Sequence, residues 1–454
     1  MSRQPAPDAR PVVLTIAGSD SGGGAGIQAD VKTIEAGGGF GTSVITSVTA
    51  QNTLGVESTH VLPTAEVAAQ YDAVVSDFDV RAAKTGMLAT APVVELVADR
   101  AADLDAPVVV DPVMVATSGD RLLQREAEAA YEDLIAEATL VTPNADEAEV
   151  LTGVAVTDEE AAVEAGEQLV DWGVNAALVK GGHVPGDEVR DVLVTADGVE
   201  TYAHPRVDTE ATHGSGCTLS AAIATRLAFG RSIPGAVQHG TDLLARAVRY
   251  HLDVGEGPGA VHHLVELRER AAREATAEHV EVVVKRLVEA DARPLVPEVG
   301  MNVVGATPYA EATDEVAAVE GRMTRTLTGV KPNRGVRFGA SSHVARFLLA
   351  AREVDPDLRF AANLRFDEDV EAALDDLGWT VGEYDRDAQP EEVEAVEGST
   401  MGWGARQALG DADGTPAAVI DRGAVGKEAI TKLVAEDHET LAERALALLD
   451  ALEA

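Results

Sequence analysis

Ala17-Gly-Ser-Asp-Ser-Gly-Gly-Gly-Ala-Gly-Ile-Gln-Ala-Asp30 continues the apolar, β-branched run that begins at Val12 and opens a helical pattern. The order is strand, glycine-rich turn, helix. Glycine lets the backbone approach a ligand closely, and a helix start presents N–H groups that have no partner inside the helix. The stretch is not a P-loop, because no Lys-Ser/Thr follows, and its glycines miss the dinucleotide spacing G-x-G-x-x-G. A glycine turn of this kind is often purely structural. Gln28 and Asp30 directly after it favour a ligand site.

The same alternation extends along the chain to about Leu252. Short apolar runs at Val12–Ala17, Ser43–Thr49, Ala82–Thr85, Pro107–Asp111, Thr139–Thr142 and Ala176–Lys180 read as strands buried on both faces. Amphipathic stretches at Thr64–Phe78, Ala91–Leu104 and Glu126–Ala136 read as helices between them. Alternation of this kind predicts an α/β fold, a mainly parallel sheet with helices on both faces, in which ligands collect at the carboxyl ends of the strands. Val192–Thr195 and Glu200–Ala203, joined through Asp197-Gly198, read as a hairpin. Gly255-Glu-Gly-Pro-Gly259 breaks the pattern, and a charged helix runs from about His262 to Glu289. Beyond Met301 a second, smaller αβ domain begins, with Asn302–Gly305 as strand, Glu315–Glu320 helical and Ala361-Ala362-Asn363 extended. The expected division is a disordered lead (1–10), a first domain (11–258), a charged helical linker (259–284) and a second domain (285–454). The halves share no repeat.

Composition narrows the function. The 454 residues carry 77 acids against 36 bases, a net charge of −41. Such a surface repels phosphate backbones and anionic lipid, which argues against nucleic-acid or membrane binding. Only seven of the bases are lysine and aromatics are 4%, a composition expected of a halophilic protein whose self-repulsion is screened by salt. Most of the acids are therefore solvated surface. A single cysteine excludes an intrachain disulfide framework and any multi-cysteine metal site. No apolar run approaches the roughly 20 residues needed to span a bilayer, and the N-terminus lacks an apolar signal core, so a cytoplasmic protein is expected.

Three further segments carry chemistry. Asp208-Thr-Glu-Ala-Thr-His-Gly-Ser-Gly-Cys-Thr218 precedes a helix of small residues, Leu219–Ala228. Its Gly214, Ser215 and Gly216 can aim successive N–H groups into one anion hole, suited to a phosphoryl group in transfer. Cys217, the lone cysteine, sits inside it. Thr142-Pro-Asn-Ala-Asp-Glu147 ends one strand and starts a helix. Asn144 there is either a plain helix cap or a ligand contact, while Glu147 and Asp111, from another strand end, can hold Mg²⁺ through water. Lys180, in Lys180-Gly-Gly-His183, is either solvated or a phosphate contact, and the scarcity of lysine favours the contact.

With AGSDSGGGAGIQAD at 17–30, these segments and TAQNT at 49–53, KTGML at 84–88, DPVM at 111–114, TPNADE at 142–147, KGGH at 180–183 and THGSGCT at 212–218 resemble the hydroxymethylpyrimidine/phosphomethylpyrimidine kinases of thiamine biosynthesis, in the ribokinase-like superfamily. The resemblance implies a ribokinase-like fold, ATP and Mg²⁺ as cofactors, and a homodimer through a sheet edge. It implies that Gly18, Asp30, Gln51, Met87 and Val113 hold the pyrimidine, with Asp30 and Gln51 on its ring nitrogens and amine. Lys180, Asn144 and Thr212 would contact the nucleotide, and Asp111 and Glu147 the metal. Cys217 stands where sugar kinases of the superfamily keep a catalytic Asp; whether it is a base or a positioning contact stays open. Gly22 replaces a serine often found in the first motif.

In the second domain, Gly321–Ala351 contains no acid but holds Arg322, Arg325, Lys331, Arg334, Arg337 and Arg346. A basic island in an acidic chain concentrates an anionic ligand, and the planar guanidinium suits phosphate oxygens. The plain alternative is a patch docked on the acidic first domain. Gly423-Ala-Val-Gly-Lys427 is a decoy for a P-loop, since Asp421 stands where glycine is required and Glu428 replaces Ser/Thr. ATPYAEATDEVAAVEGR at 306–322, PNRGVRFGASSHVAR at 332–346 and DRGAVGKE at 421–428 resemble the archaeal-type thiamine-phosphate synthase domain. The resemblance implies condensation of the pyrimidine pyrophosphate with thiazole phosphate, with Arg322 and His343 as catalytic residues and Arg325 and Arg346 as phosphate ligands. Two alternatives are a second domain that only senses thiamine phosphate, and a pyridoxal-type vitamin kinase with an accessory domain.

Overall fold

The computed structural model describes residues 4, 6–114, 127, 129–390, 393, 399–412, 414–424 and 426–454, in two units, Met1–Leu267 and Arg268–Ala454. In the first, the run that enters the glycine turn is strand β1 (Val12–Asp20). Its residues alternate between two cores, as the two-residue period of a strand requires. Val13 packs with Ile34, Leu178 and Leu219 on one face, and Leu14 and Ile16 pack with Val67, Val94 and Tyr131 on the other. Leu14 is wholly buried, so truncating it to alanine costs about 2–5 kcal/mol. Both faces of the sheet are covered, as its apolar strands predicted.

The remaining strands are β2 (Phe40–Asn52), β3 (Gly55–Val61), β4 (Val80–Thr85), β5 (Val108–Val110), β6 (Leu140–Val141), β7 (Ala176–Val179), β8 (Glu188–Thr195) and β9 (Gly198–Pro205), in the order β3-β2-β1-β4-β5-β6-β7-β8-β9. The central strands are parallel and the outer ones, β3, β8 and β9, antiparallel. The hairpin read at Asp197-Gly198 joins β8 to β9. A helix is described over Tyr131–Ala136; Glu126 and Glu128 of the predicted segment lie outside the described residues. No helix among the described residues is long and apolar enough to cross a membrane.

The charged segment forms one helix, Val265–Glu289. Val280, Val283, Val284 and Leu287, at i, i+3, i+4 and i+7, belong to the core of the second unit. The sheet of that unit comprises β10 (Val303–Ala306), β11 (Val316–Val319), β14 (Val336–Phe338), β15 (Phe360–Arg365), β16 (Val381–Tyr384), β17 (Ala418–Asp421) and β18 (Ile430–Ala435), ordered β14-β11-β10-β15-β18-β17-β16. β12 (Met323–Thr326) and β13 (Gly329–Pro332) make a separate hairpin. Contrary to expectation, Glu315–Glu320 is not helical. A short 3-10 turn ends at Glu315, and Val316–Val319 is strand β11, bonded to β10 and β14. A four-residue apolar run buried on both faces has no period by which to tell strand from helix.

The P-loop-like turn hangs from Asp421. That carboxylate accepts from Arg386 Nε and Nη2, both at 2.7 Å, from the Tyr384 hydroxyl and from the Gly423 N–H at 3.1 Å, with Lys432 Nζ at 3.4 Å. Burial would raise the Asp421 pKa, but Arg386, Lys432 and Tyr384 bring it down to about 2. Asp421 therefore anchors the turn from below, where a P-loop requires a glycine.

Candidate active site

The carboxyl ends of β1, β4, β5, β6 and β7 open on a cavity of about 590 Å³. Its floor is the glycine turn, and Asp20 ties that turn together. The carboxylate accepts from the N–H groups of Gly22 (2.8 Å), Gly24 (3.0 Å) and Ala25 (2.7 Å), and His213 Nε2 lies 3.1 Å away. Burial alone would raise the Asp20 pKa; the His213 bond and the Ala25 and Gly22 amides outweigh it, and the group stays below the ordinary carboxylate value. Gly214 has φ +81°, and a Cβ there would sit 1.9 Å from the Gly24 carbonyl oxygen. Only glycine lets these two loops, distant in the chain, close on each other.

Four of the five residues expected to hold a pyrimidine, Gly18, Gln51, Met87 and Val113, line the cavity. Gly18 leaves room for its neighbours, since a Cβ would lie 2.7 Å from both Met87 Cε and Ser47 Oγ and those side-chain ends would have to shift. The fifth, Asp30, is not among the lining residues. It lies one helical turn past Gly26, on the buried face of helix Gly26–Ala36. There its oxygens lie 2.9 and 3.0 Å from Lys84 Nζ, and one accepts from the Thr15 hydroxyl at 2.6 Å. Burial pulls the Lys84 ammonium down, but Asp30, with Cys217 and Asp111 nearby, more than reverses it, so its pKa lies above the ordinary lysine value.

Gly214, Ser215, Gly216 and Cys217 stand at the start of helix Ser215–Ala228 and line the same cavity, with Thr212, Lys180, Asn144, Asp111 and Glu147. The anion hole is narrower than three successive amides. Ser215 donates its N–H to the Thr212 carbonyl at 3.1 Å, which leaves the Gly216 and Cys217 amides in the first helical turn without intrahelical partners. A Cβ on Gly216 would lie 3.3 Å from Asp111 Oδ2 and 3.4 Å from Lys180 Nζ, so this glycine keeps the space before those charges open. Burial pushes the Cys217 thiol up to about 12; Lys84 and the Gly26 amide oppose the rise, Asp30 and Asp111 add to it. This environment favours the neutral thiol despite its place at a helix N-terminus.

Lys180 Nζ lies 3.0 Å from Asp111 Oδ1 and 3.9 Å from Glu147 Oε2. Asn144 caps helix Ala145–Thr152: its Oδ1 accepts from the Glu147 N–H, and Glu147 Oε2 accepts from the Asn144 N–H, both at 2.8 Å. Asn144 is thus the helix cap, and it also lines the cavity. Burial and the nearby Asp111 charge push Glu147 up to about 7, against the pull of Lys180. Two crowded carboxylates with hard oxygen donors fit a Mg²⁺ ion that keeps most of its water. Among the described residues no set of three His, Cys, Asp or Glu gathers as a metal site.

Sequence reasoning passed over Asp20, Thr49, Lys84, Arg206 and His213. Four of them stood inside the quoted motifs. Arg206 carried no signal, yet its guanidinium donates to the carbonyls of Gly182 (2.8 Å), Val184 (2.6 Å) and Gly186 (2.7 Å), bracing the loop after Lys180.

In the second unit, Arg322 and Arg325 brace one segment, donating to the carbonyls of Val299 and Val296. Glu428 holds the same segment by accepting from the Glu298 and Val299 N–H groups at 2.7 and 3.0 Å. Arg322 has φ +68°, a left-handed backbone that is uncommon outside glycine and is often found at functional sites. His343 and Arg346 are exposed at the start of helix His343–Val354, three residues apart and so on one face. The Ser342 hydroxyl lies 3.2 Å from His343 Nδ1. Arg334 and Arg337 both pair with Glu320, at 3.6 and 3.1 Å. The basic island thus resolves into a bracing pair (Arg322, Arg325), a pair neutralised by an acid just outside it (Arg334, Arg337), an exposed Arg346 beside His343, and an exposed Lys331 on β13.

Comparison with known proteins agrees with this geometry. Residues 20–262 match the family model described as phosphomethylpyrimidine kinase, and residues 279–447 match thiamine-phosphate synthase ThiN. The hydroxymethylpyrimidine/phosphomethylpyrimidine kinase of Streptomyces coelicolor is 48% identical over 254 residues, covering 56% of this chain and 94% of that one. The thiamine biosynthesis bifunctional protein ThiED of Geobacter sulfurreducens is 44% identical over 57% of this chain and 54% of its own length. Among solved structures, the ADP complex of Bacillus subtilis pyridoxal kinase superposes with a TM-score of 0.54 at 31% identity, over 57% of this chain and all of that one.

Proposed function

The chain belongs to the phosphomethylpyrimidine kinase family and carries a ThiN-type domain behind the kinase, and from that premise we propose a bifunctional enzyme of thiamine biosynthesis. The first activity phosphorylates 4-amino-5-hydroxymethyl-2-methylpyrimidine, then its monophosphate, with ATP. The second joins the resulting pyrophosphate to thiazole phosphate, giving thiamine phosphate and pyrophosphate. The assignment takes 11–258 as kinase, 259–284 as a connection whose Val280, Val283 and Val284 complete the synthase core, and 285–454 as synthase, in a cytoplasmic homodimer acting on small molecules, with neither nucleic acid nor membrane as partner.

One observation carries the kinase reading: a single cavity holds Gly18, Gln51, Met87 and Val113 together with Gly216, Cys217, Lys180, Asp111 and Glu147. The first four bind and orient the ring. Gly216 and Cys217 amides take the charge on the phosphoryl oxygens, and Lys180 neutralises the phosphates. Asp111 and Glu147 are the residues that would hold Mg²⁺, which supplies charge neutralisation of the phosphates when bound. Transfer breaks the bond between the γ-phosphorus and its bridging oxygen and forms one to a monophosphate oxygen in the second round and to the hydroxymethyl oxygen in the first, whose proton passes to a phosphoryl oxygen or to water. A neutral Cys217 does not take that oxygen's proton as a thiolate; a loose transition state needs little base assistance, so positioning and charge account for the step.

In the synthase the C–O bond to pyrophosphate breaks, the pyrimidine methylene becomes cationic and the thiazole nitrogen captures it. Arginines that grip the leaving group stabilise this transition state more than the ground state. The left-handed backbone at Arg322 supports its assignment with His343 to the reacting phosphates. Arg346, beside His343, is a phosphate ligand. Arg325 shapes the Val296–Gly300 segment and offers its remaining N–H groups. Incubating the purified chain with the pyrimidine alcohol, thiazole phosphate and MgATP should yield thiamine phosphate and free pyrophosphate. Pyrimidine pyrophosphate as sole product would reduce the second unit to a sensor, and turnover of pyridoxal alone would overturn the kinase assignment.

A further inference from the structure

His213 lies where three cavity-lining segments meet: the glycine turn, through Asp20; the end of β2, through Gln51; and the loop that leads into helix Ser215–Ala228. Its Nε2 is 3.1 Å from Asp20 Oδ2. Asp20 already accepts three backbone N–H bonds, so it is an ionised acceptor and the imidazole nitrogen facing it must carry the proton. The same nitrogen lies 3.4 Å from one end of the Gln51 carboxamide, Nε2 in the structure, whose other end, Oε1, lies 3.2 Å from Thr49 Oγ1. The two ends of a carboxamide are interchangeable by shape, and hydrogen-bond partners decide between them. With NH2 toward His213, two N–H donors oppose each other. Thr49 has one hydroxyl proton, and the Ser19 carbonyl at 2.8 Å is its better acceptor. Turning the amide by half a revolution removes both conflicts: the Gln51 oxygen shares the His213 Nε2–H with Asp20 as the longer arm of a bifurcated bond, and the Gln51 NH2 donates to the Thr49 hydroxyl.

We propose that His213 is a positioning residue that locks the Gln51 amide with its carbonyl toward the imidazole and its NH2 toward Thr49, and so sets which edge of the substrate the cavity accepts. This rests on the reading that Gln51 faces the pyrimidine. A carboxamide held this way presents one acceptor and one donor in fixed order. That order complements an exocyclic amine beside an unprotonated ring nitrogen. It opposes the lactam edge of a 4-oxo pyrimidine, where a carbonyl stands beside a ring N–H. A Gln51 free to rotate would accept both.

The test uses the full-length protein and two probes, the 4-amino pyrimidine alcohol and its 4-oxo counterpart. Wild type should favour the amino substrate by at least about 100-fold in kcat/KM, as sites built around substrate hydrogen bonds do. His213→Leu should bring the preference, the ratio of the two kcat/KM values, below about tenfold, with the larger loss in affinity for the amino substrate. His213→Gln, whose NH2 can donate to both Asp20 and Gln51, should restore most of the preference. A purely structural role for His213 would instead lower turnover of both probes in parallel. Thr49→Val keeps the side-chain shape and releases the NH2 end, so it should also erode the preference, and it carries the test if His213→Leu does not fold. An unchanged preference in His213→Leu, or in Thr49→Val standing alone, overturns the proposal. So does a wild type that phosphorylates both probes equally, an outcome that leaves the kinase assignment intact. Failure of wild type to phosphorylate the amino alcohol overturns that assignment instead.

Discussion

Asp30 and Lys84 share one wholly buried ion pair beneath the cavity. Removing one partner of such a pair strands the other charge, which costs about 3–5 kcal/mol, whereas replacing both with apolar groups is often neutral or stabilising. Asp30→Ala should therefore lower stability by about that amount, and Asp30→Ala combined with Lys84→Met should recover most of it. Urea denaturation of the two variants checks this. A normal unfolding midpoint with a raised KM for the pyrimidine in Asp30→Ala would instead make Asp30 a ligand. Cys217 poses the opposite question, a reactive type in a setting that suppresses reactivity. With the thiol pushed up to about 12 by burial, almost none is ionised at neutral pH. Cys217→Ser, a close steric match, should keep kcat within about tenfold of wild type. A loss of a thousandfold with unchanged KM would restore the base role.

Between elements, what the sequence revealed depended on whether the determinant was local. The turn at 17–30 and the Asp197-Gly198 hairpin were legible because glycine at particular positions admits few alternatives. The cavity was legible because parallel strands deliver the residues after β4, β5, β6 and β7 to one edge. Whether Asp30 faces ligand or sheet was not legible, because a residue near a helix start can do either and its buried partner, Lys84, lies on a distant strand. β11 was misread because four buried apolar residues carry no period. The stack of His279, on helix Val265–Glu289, against His438, on helix His438–Glu453, had no sequence signal: the rings lie 4.0 Å apart and nearly parallel, with Phe360 about 6 Å from each. Burial, then His438 and Arg359, lower the His279 pKa, against the smaller pull of Glu278 and Glu439. The fold therefore prefers neutral His279. Its contribution is complete above pH of about 6.5, the unfolded value, and is lost as pH falls below it toward the lowered folded value. His279→Phe keeps an aromatic ring and removes the proton site, so its melting temperature should fall less than that of wild type between pH 7.5 and 5.5. Equal losses in the two proteins would remove the stack from the acid response.

Across the whole molecule the strongest long-range force is self-repulsion from a net charge of −41. Lys84, Lys180, Arg386 and Lys432 are engaged with buried or nearly buried carboxylates, so these four bases do little to offset the acids at the surface. Added salt shortens the Debye length from about 30 Å at 0.01 M to about 3 Å at 1 M, and the repulsion among exposed carboxylates should fade over that range. The melting temperature should therefore rise with KCl, steeply below about 0.3 M and more slowly above it. Sucrose, which stabilises by exclusion from the surface without screening charge, separates the two effects: it should give a shallow, steady rise with no early steep phase. A melting temperature that does not change between millimolar and molar KCl would mean that the excess carboxylates are spaced too widely to repel, and that the acidic composition contributes solubility without a demand for salt.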